Sequence, residues 1–341
     1  MHPGFLSRRE FLKMSGAGLL ALFLSEFTLN KAVAAPHLRQ GRVVYNSLIV
    51  RDAPAFSGKR VKSYRRDTIL EITAQVSGGI ESDYNRIWYR LGNEGFVYSG
   101  GVQPVSTILN SAVASIPETG VVGELTIPYA DSVWAINRSP TPGPRLYYAS
   151  THWITALVVD QRDGSSWYKA YDNLYNSYYY TRPEWMRIIP AADLTLTSPG
   201  VPESEKHIEI SLDRQILLAF EANVPVHVAR VATGKTHYET PTGSFRTFHK
   251  RPTYHMTGGA NIASTFDLPG IPWDSYFTDS GAAMHGTYWH NDFGHPHSHG
   301  CVNMTAEDAL WIYRWTLPSV PSGERFIIKP GEGTRVLVFQ S

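Results

Sequence analysis

The clearest periodicity lies in the last third of the chain. HIEISLD (His207–Asp213) alternates apolar and polar residues, the period of a half-buried strand. QILLAFEANVPVHVARVATG (Gln215–Gly234) predicts two further strands about a turn at Asn223. TPTGSFRTFHK (Thr240–Lys250) reads as a turn and a strand, and RVLVF (Arg335–Phe339) as a closing strand. TAEDALWIYRW (Thr305–Trp315) changes to helical spacing. Thr305 is its expected N-cap, Asp308 falls at N3, and Met304 can staple against Ala309.

Upstream the strands are shorter and turn-rich. GRVVYNSLIVRDAPAFSGKRV (Gly41–Val61), DTILEITAQV (Asp67–Val76) and IWYRLGNEGFVYSGGVQPV (Ile87–Val105) predict a small β-barrel over 40–106. VRDAP (Val50–Pro54), Trp88-Tyr89 and Gly95-Phe96-Val97 resemble bacterial SH3-like modules. Residues 119–192 loosely repeat the plan, with WYKAYD (Trp167–Asp172) echoing WYRLGN (Trp88–Asn93) and WMRIIP (Trp185–Pro190) echoing VQPV (Val102–Val105). SPTPGPR (Ser139–Arg145) is expected to be a loop, because three prolines do not fit a central strand. Tyr171, Tyr175, Tyr178, Tyr179 and Tyr180 suit packing between strands better than a ligand-stacking surface. LTSPGVPESEK (Leu196–Lys206) reads as a linker.

Composition narrows the class. With 43% hydrophobic and 18% charged residues, the 341-residue chain is globular and long enough for two or three domains. A net charge of +1 and the lack of a basic stripe give no basis for nucleic-acid binding. Near the N-terminus, Arg8 and Arg9 precede a weakly apolar run, Met14–Leu24, and an A-x-A site at Ala32 and Ala34. That order describes a twin-arginine signal peptide over 1–34. The run is about half of the ~20 residues a membrane span needs, so no stable membrane anchor is expected after cleavage. The expected location is the periplasm or cell wall.

Export changes the meaning of the single cysteine, Cys301. Outside the cytoplasm cysteines usually pair, and this one has no partner in its own chain. It lies in HGTYWHNDFGHPHSHGCVNM (His285–Met304), which also holds five of the thirteen histidines. Three readings follow from the residues. Cys301 lies just ahead of a helix N-terminus, after a glycine that permits a tight turn, with His285 far enough upstream to sit on a neighbouring strand. Those are the parts of a nucleophilic acyl-transfer site. Alternatively, His290, His295, His297, His299 and Cys301 offer zinc ligands, although i, i+2 spacing matches no recognised zinc pattern. An inert packed cysteine is the third reading.

The same stretch resembles the signature of the L,D-transpeptidase family: a histidine followed by Gly or Ser, a spacer, then Ser-His-Gly-Cys, a hydrophobic residue and Asn or Arg. His285, Gly286, Ser298, His299, Gly300, Cys301, Val302 and Asn303 fill those positions. ATGK through TPTGSF (Ala232–Phe245) is similar to the family's substrate-side turn, and the resemblance spans about 204–340. It implies a mainly β fold: two SH3-like modules (40–106 and 119–192), then a β-rich catalytic domain (204–340) with one main helix after the nucleophile. It implies a cysteine enzyme acting on peptidoglycan stem peptides, with Cys301 as nucleophile, His285 as base, and His299, Gly300 and Gly286 completing the catalytic group. Asn303, Ser298, Tyr288 and Trp289 would contact substrate. Formation of 3→3 crosslinks through a thioester and acylation by carbapenems follow from the resemblance, as does a role in wall organisation and cell shape. No cofactor or metal is implied, and a monomer is expected. The alternatives are L,D-carboxypeptidase or endopeptidase action, a non-catalytic wall-binding protein, and a zinc hydrolase.

Overall fold

A computed structural model describes residues 40–79, 84–258 and 265–340. The signal-peptide segment lies outside the described residues. Among the described residues, no helix is long and apolar enough to cross a membrane.

The strands fall into three sets along the chain. Between Gln40 and Val105 there is a three-stranded sheet (Ile69–Glu71, Gln40–Val43, Val102–Val105) and a five-stranded one. Val121–Ile188 forms a seven-stranded antiparallel sheet over its own core of Leu125, Leu146, Ile154, Tyr168 and Met186. Its outermost strand is Pro142–Tyr147, so half of the expected Ser139–Arg145 loop is in fact strand. The proline argument holds only for central strands; an edge strand has one side with no ladder bonds to donate. Of the tyrosine cluster, Tyr179 is buried, while Tyr175 and Tyr178 remain exposed.

The third set builds two five-stranded sheets. One runs Val224–Arg230, Ile216–Glu221, Lys206–Ser211, Arg335–Phe339, Gly243–Arg246. The other runs Val302–Met304, Ala283–Gly286, Phe266–Tyr276, His249–Gly258, Ile327–Ile328. Ile208, Ile210, Leu217, Val336 and Val338 of the first sheet share one core with Trp273, Met284, Val302 and Met304 of the second. The helix Ala306–Trp315 adds Ala309, Ile312, Tyr313 and Trp315 to it. Thr305 caps that helix as its sequence requires, accepting the Asp308 N–H at 3.1 Å. Its last carbonyls accept from the buried Lys250 amine, 2.5 Å from Tyr313 O and 2.7 Å from Thr316 O, a donor placed at the negative end of the helix dipole whose pKa burial lowers to about 7.

The sets are not independent. From residue 39 onward the chain is one compact unit. Val122, Trp153 and Ile189 of the middle set complete the core of the last. The 196–206 stretch is tied down, with Lys206 Nζ donating to Ser198 O at 2.9 Å.

The hairpin of His249–Gly258 and Phe266–Tyr276 is clasped to the middle sheet by His255. Its Nδ1 lies 2.7 Å from Asp172 Oδ2, and its Nε2 bonds Asp267. Burial pulls the His255 pKa down, but the bonds to Asp172 and Asp267 outweigh it and the net direction is up. A raised histidine pKa adds stability that is full below the unfolded value, about 6.5, and is lost as pH rises through the folded value. Two charge-assisted bonds of this kind contribute about 1.5–3 kcal/mol each at most. Amide exchange along Tyr254–Gly258, corrected for its intrinsic pH dependence, should therefore be slowest below about pH 6.5 and accelerate above it. His255→Ala should exchange fast at every pH; an unchanged pH profile in the wild type would remove the clasp.

Candidate active site

Two short strands place the expected nucleophile and base. Ala283–Gly286 pairs parallel with Val302–Met304, matching Met284 with Val302, His285 with Asn303 and Gly286 with Met304. Side chains alternate across a sheet. Met284, Val302 and Met304 enter the shared core, so His285 and Asn303 share the opposite face, and Cys301 immediately precedes that strand. Parallel neighbours need a crossover of a dozen or more residues, and the histidine-rich loop is that crossover. Gly286 is required for close packing: a Cβ there would lie 2.7 Å from Pro272 Cγ and 2.9 Å from Ala306 Cα.

The end of the loop is set by backbone chemistry. Gly300 adopts φ +113°, a conformation open to glycine. Ser298 Oγ donates to Cys301 O (2.6 Å) and accepts the Gly300 N–H (3.1 Å). Thr240 Oγ1 donates to Gly300 O at 2.9 Å, and Thr233 O accepts from Ser298 N at 3.0 Å. The Ala232–Phe245 segment thus grips the cysteine turn from the neighbouring sheet. Ser298 is occupied in shaping the turn.

His285 is buried, and its Nδ1 lies 2.9 Å from Gly286 O. A carbonyl only accepts, so the proton sits on Nδ1 and the Nε2 lone pair is free. Burial lowers the His285 pKa to about 4 and raises that of the Cys301 thiol to about 11. At neutral pH both groups are uncharged. Cys301 is partly exposed as a residue, with Sγ 3.9 Å from Gly281 O. Asp274, on the next strand of the sheet, is fully buried with both carboxyl oxygens unpartnered, and burial raises its pKa well above the ordinary value.

The remaining expected site residues divide. Trp289 is half-buried with its ring 5.8 Å from that of His285, on the wall of the site. Tyr288 is 1% exposed, its hydroxyl donating to Pro269 O at 2.7 Å and its ring stacked on Tyr147 at 5.2 Å. The contact with substrate expected of Tyr288 is thereby replaced by packing: it has no surface to offer a ligand. His299 lies between Tyr238 (4.4 Å) and Phe266 (5.2 Å). The other loop histidines have separate partners: His295 bonds Asp292 at 3.0 Å, and His297 stacks on His290 at 4.3 Å. Among the described residues, no group of three His, Cys, Asp or Glu is arranged to hold a metal ion.

Sequence reasoning missed the contacts that hold the loop from outside. Buried Arg42 donates to Tyr288 O (2.5 Å), Gln103 Oε1 (2.7 Å) and Asp67 Oδ1 (2.8 Å), and lies over the Tyr147 ring. Tyr98 donates to Asp292 Oδ1 at 2.6 Å, and Asn291 N–H to Gly100 O at 3.0 Å. No motif signals these pairs, because each spans a large separation in sequence.

Residues 205–338, which form the two C-terminal sheets, match the family model of the L,D-transpeptidase catalytic domain, YkuD. No curated protein matches the chain. Among solved structures, the L,D-transpeptidase of Xylanimonas cellulosilytica is 29% identical over 39% of this chain and 60% of that one, with a TM-score of 0.29. The catalytic domain of an E. faecium L,D-transpeptidase is 21% identical over 39% of this chain and 96% of that one, TM-score 0.31. An L,D-transpeptidase from Mycobacterium smegmatis is 18% identical over 56% and 89%, TM-score 0.33.

A neutral thiol beside a neutral imidazole has a kinetic signature. Alkylation of Cys301 by iodoacetamide should be slow at pH 7 and keep rising through pH 10, with no plateau between pH 5 and 8. A plateau in that window would reveal a preformed thiolate–imidazolium pair and contradict the pKa directions above.

Proposed function

We propose that this chain is an exported cysteine L,D-transpeptidase that crosslinks peptidoglycan stem peptides. The observation that supports the reading is the parallel pairing of Ala283–Gly286 with Val302–Met304, since Cys301 immediately precedes Val302 and His285 lies on the paired strand, with Gly286 O fixing the imidazole so that Nε2 is free. In the first half-reaction Cys301 Sγ attacks the carbonyl of the diamino acid at position three of the stem while His285 Nε2 takes the thiol proton. Because neither group is charged beforehand, the proton moves as the S–C bond forms. The Gly300 N–H is held by Ser298 Oγ, and by the family resemblance other backbone N–H groups of the His299–Cys301 turn would donate to the oxyanion. His285 then passes its proton to the departing amine of D-alanine, and a thioester remains. In the second half-reaction the side-chain amine of another stem attacks the thioester, His285 accepts the amine's proton and passes it to the departing Cys301 sulfur, and the free thiol is regenerated as a 3→3 amide forms.

Trp289 would border the donor beside His285. Residues 40–106 and 119–192 would be SH3-like modules that contact the wall or shape the approach to the site, and the twin-arginine signal would carry the folded protein out. No cofactor is needed for either half-reaction.

Incubation with purified disaccharide-tetrapeptides and mass analysis of the products tests this reading. Dimers lacking one D-alanine are expected. Monomers shortened by one residue would instead mean water is the acceptor and the enzyme is a carboxypeptidase. Cys301→Ser should abolish product, His285→Ala should slow it by about 10²-fold or more, and EDTA should have no effect. Loss of activity on chelation would make the loop a metal site.

A further inference from the structure

The sheet face that carries His285 continues two strands further, to an arginine with no acid partner. Trp273, Phe277 and Met284 enter the core, and Ser275 pairs with Met284, so Asp274 and Tyr276 lie on the opposite face with His285. On the next strand Arg251 pairs with Asp274, and His249 with Tyr276. Arg251 therefore shares that face, two strands from His285 and about 10 Å away at the backbone. Its guanidinium leans over the neighbouring row, with Cζ 6.0 Å from the Tyr276 ring, 4.2 Å from that of Tyr254 and 5.5 Å from that of Phe326. Tyr276 pairs in turn with Ala283, whose N–H bonds Cys301 Sγ. One row of the sheet thus runs from sulfur to guanidinium.

The guanidinium is held but not neutralised. Nε and Nη2 both donate to His249 Nε2, at 3.1 and 2.7 Å. Burial, and then the Arg251 charge, lowers the His249 pKa to about 4, so the ring stays a neutral acceptor. Asp274 is buried with both oxygens unpartnered, and burial raises its pKa well above the ordinary value, which favours its neutral form. Among the described residues no carboxylate forms an ion pair with Arg251, and only His249 accepts from it. Arg251, His249, Tyr254 and Tyr276 are each half-buried, so the cation is stacked in place yet within reach of a ligand. A planar fork of this kind takes a carboxylate through two parallel bonds. We propose that Arg251 binds the free carboxylate at the C-terminus of the donor peptide, one residue beyond the bond that Cys301 attacks. The identity of the peptide rests on the transpeptidase reading. Distance selects the group: the carboxyl of a terminal alanine lies about 4 Å beyond the scissile carbon, which fits between a sulfur touching that carbon and a guanidinium two strands, or about 10 Å, away. One more residue would carry the carboxylate past Arg251, so the site reads the chain end and favours tetrapeptide over pentapeptide stems.

Calorimetry on the full chain carrying Cys301→Ala, which cannot turn the peptide over, tests the anchor. The ligands are a stem tetrapeptide, the same peptide as its C-terminal amide, and the pentapeptide. The tetrapeptide acid should bind about 10-fold or more tighter than the amide, and the pentapeptide should bind as weakly as the amide. With Arg251→Gln added, acid and amide should bind within about 2-fold of each other, because the cycle removes the one charged contact from either side. A residue that only supports the fold would weaken both peptides alike and leave their ratio unchanged. Equal binding of acid and amide to Cys301→Ala, a pentapeptide bound as tightly as the tetrapeptide, an unchanged ratio with Arg251→Gln, or no binding of any of the three would overturn the proposal. Product formation by the wild type is measured separately. Crosslinked dimers together with unselective binding leave the transpeptidase reading standing and remove the anchor; selective binding without any product does the reverse.

Discussion

The site depends on one pairing: Ala283–Gly286 beside Val302–Met304 in parallel. An antiparallel hairpin with a tight turn would bring sequence neighbours together. A parallel pair brings together residues separated by the whole crossover, here His285 and Cys301. Because both strands bury Met284, Val302 and Met304 in the core, a one-residue slip would drive those side chains out and turn His285 and Cys301 inward. Hydrophobic burial on one face thus fixes the chemistry on the other.

The crossover is long, without regular structure over most of its length, and polar, and it needs support beyond its ends. Ala232–Gly234 and Thr240 grip the cysteine turn from one side. Arg42, Tyr98 and Gly100, far upstream in sequence, hold its middle through Tyr288 O, Asp292 and Asn291. The N-terminal strands therefore do more than extend the molecule: they fix the backbone that leads from His285 to Cys301. Asp292 is held on both sides, since its side chain accepts from Tyr98 while its N–H donates to His290 Nδ1.

Much of the fold was legible where local physics decides it. The helix cap at Thr305, the strands at His207–Asp213 and Arg335–Phe339 and the glycine at 300 follow from pattern and backbone preference. Cys301 and His285 stood out by residue type and motif. The limits were equally physical. Pro142–Tyr147 forms a strand because it lies at a sheet edge, and edge position is a tertiary property. Tyr288 carries a side chain suited to ligand contact, but Tyr147, Pro269 and Arg42 bury it. His290 reads as a zinc ligand by residue type, and its bonds to Asp292 and Asn303 depend on how the loop folds. The buried Asp274 and the His255 clasp give no signal in a sequence, because each depends on what covers it.

The central claim is that Cys301, with His285 as its base, is the nucleophile for a stem peptide. The most direct measurement is intact mass of the enzyme after rapid mixing with a tetrapeptide donor whose acceptor amine is blocked. The account predicts an adduct equal to the donor less one D-alanine, mapped to the peptide carrying Cys301, forming slowly in His285→Ala and unaffected by EDTA. Turnover of the donor by Cys301→Ser, or an adduct located on any other residue, would contradict it.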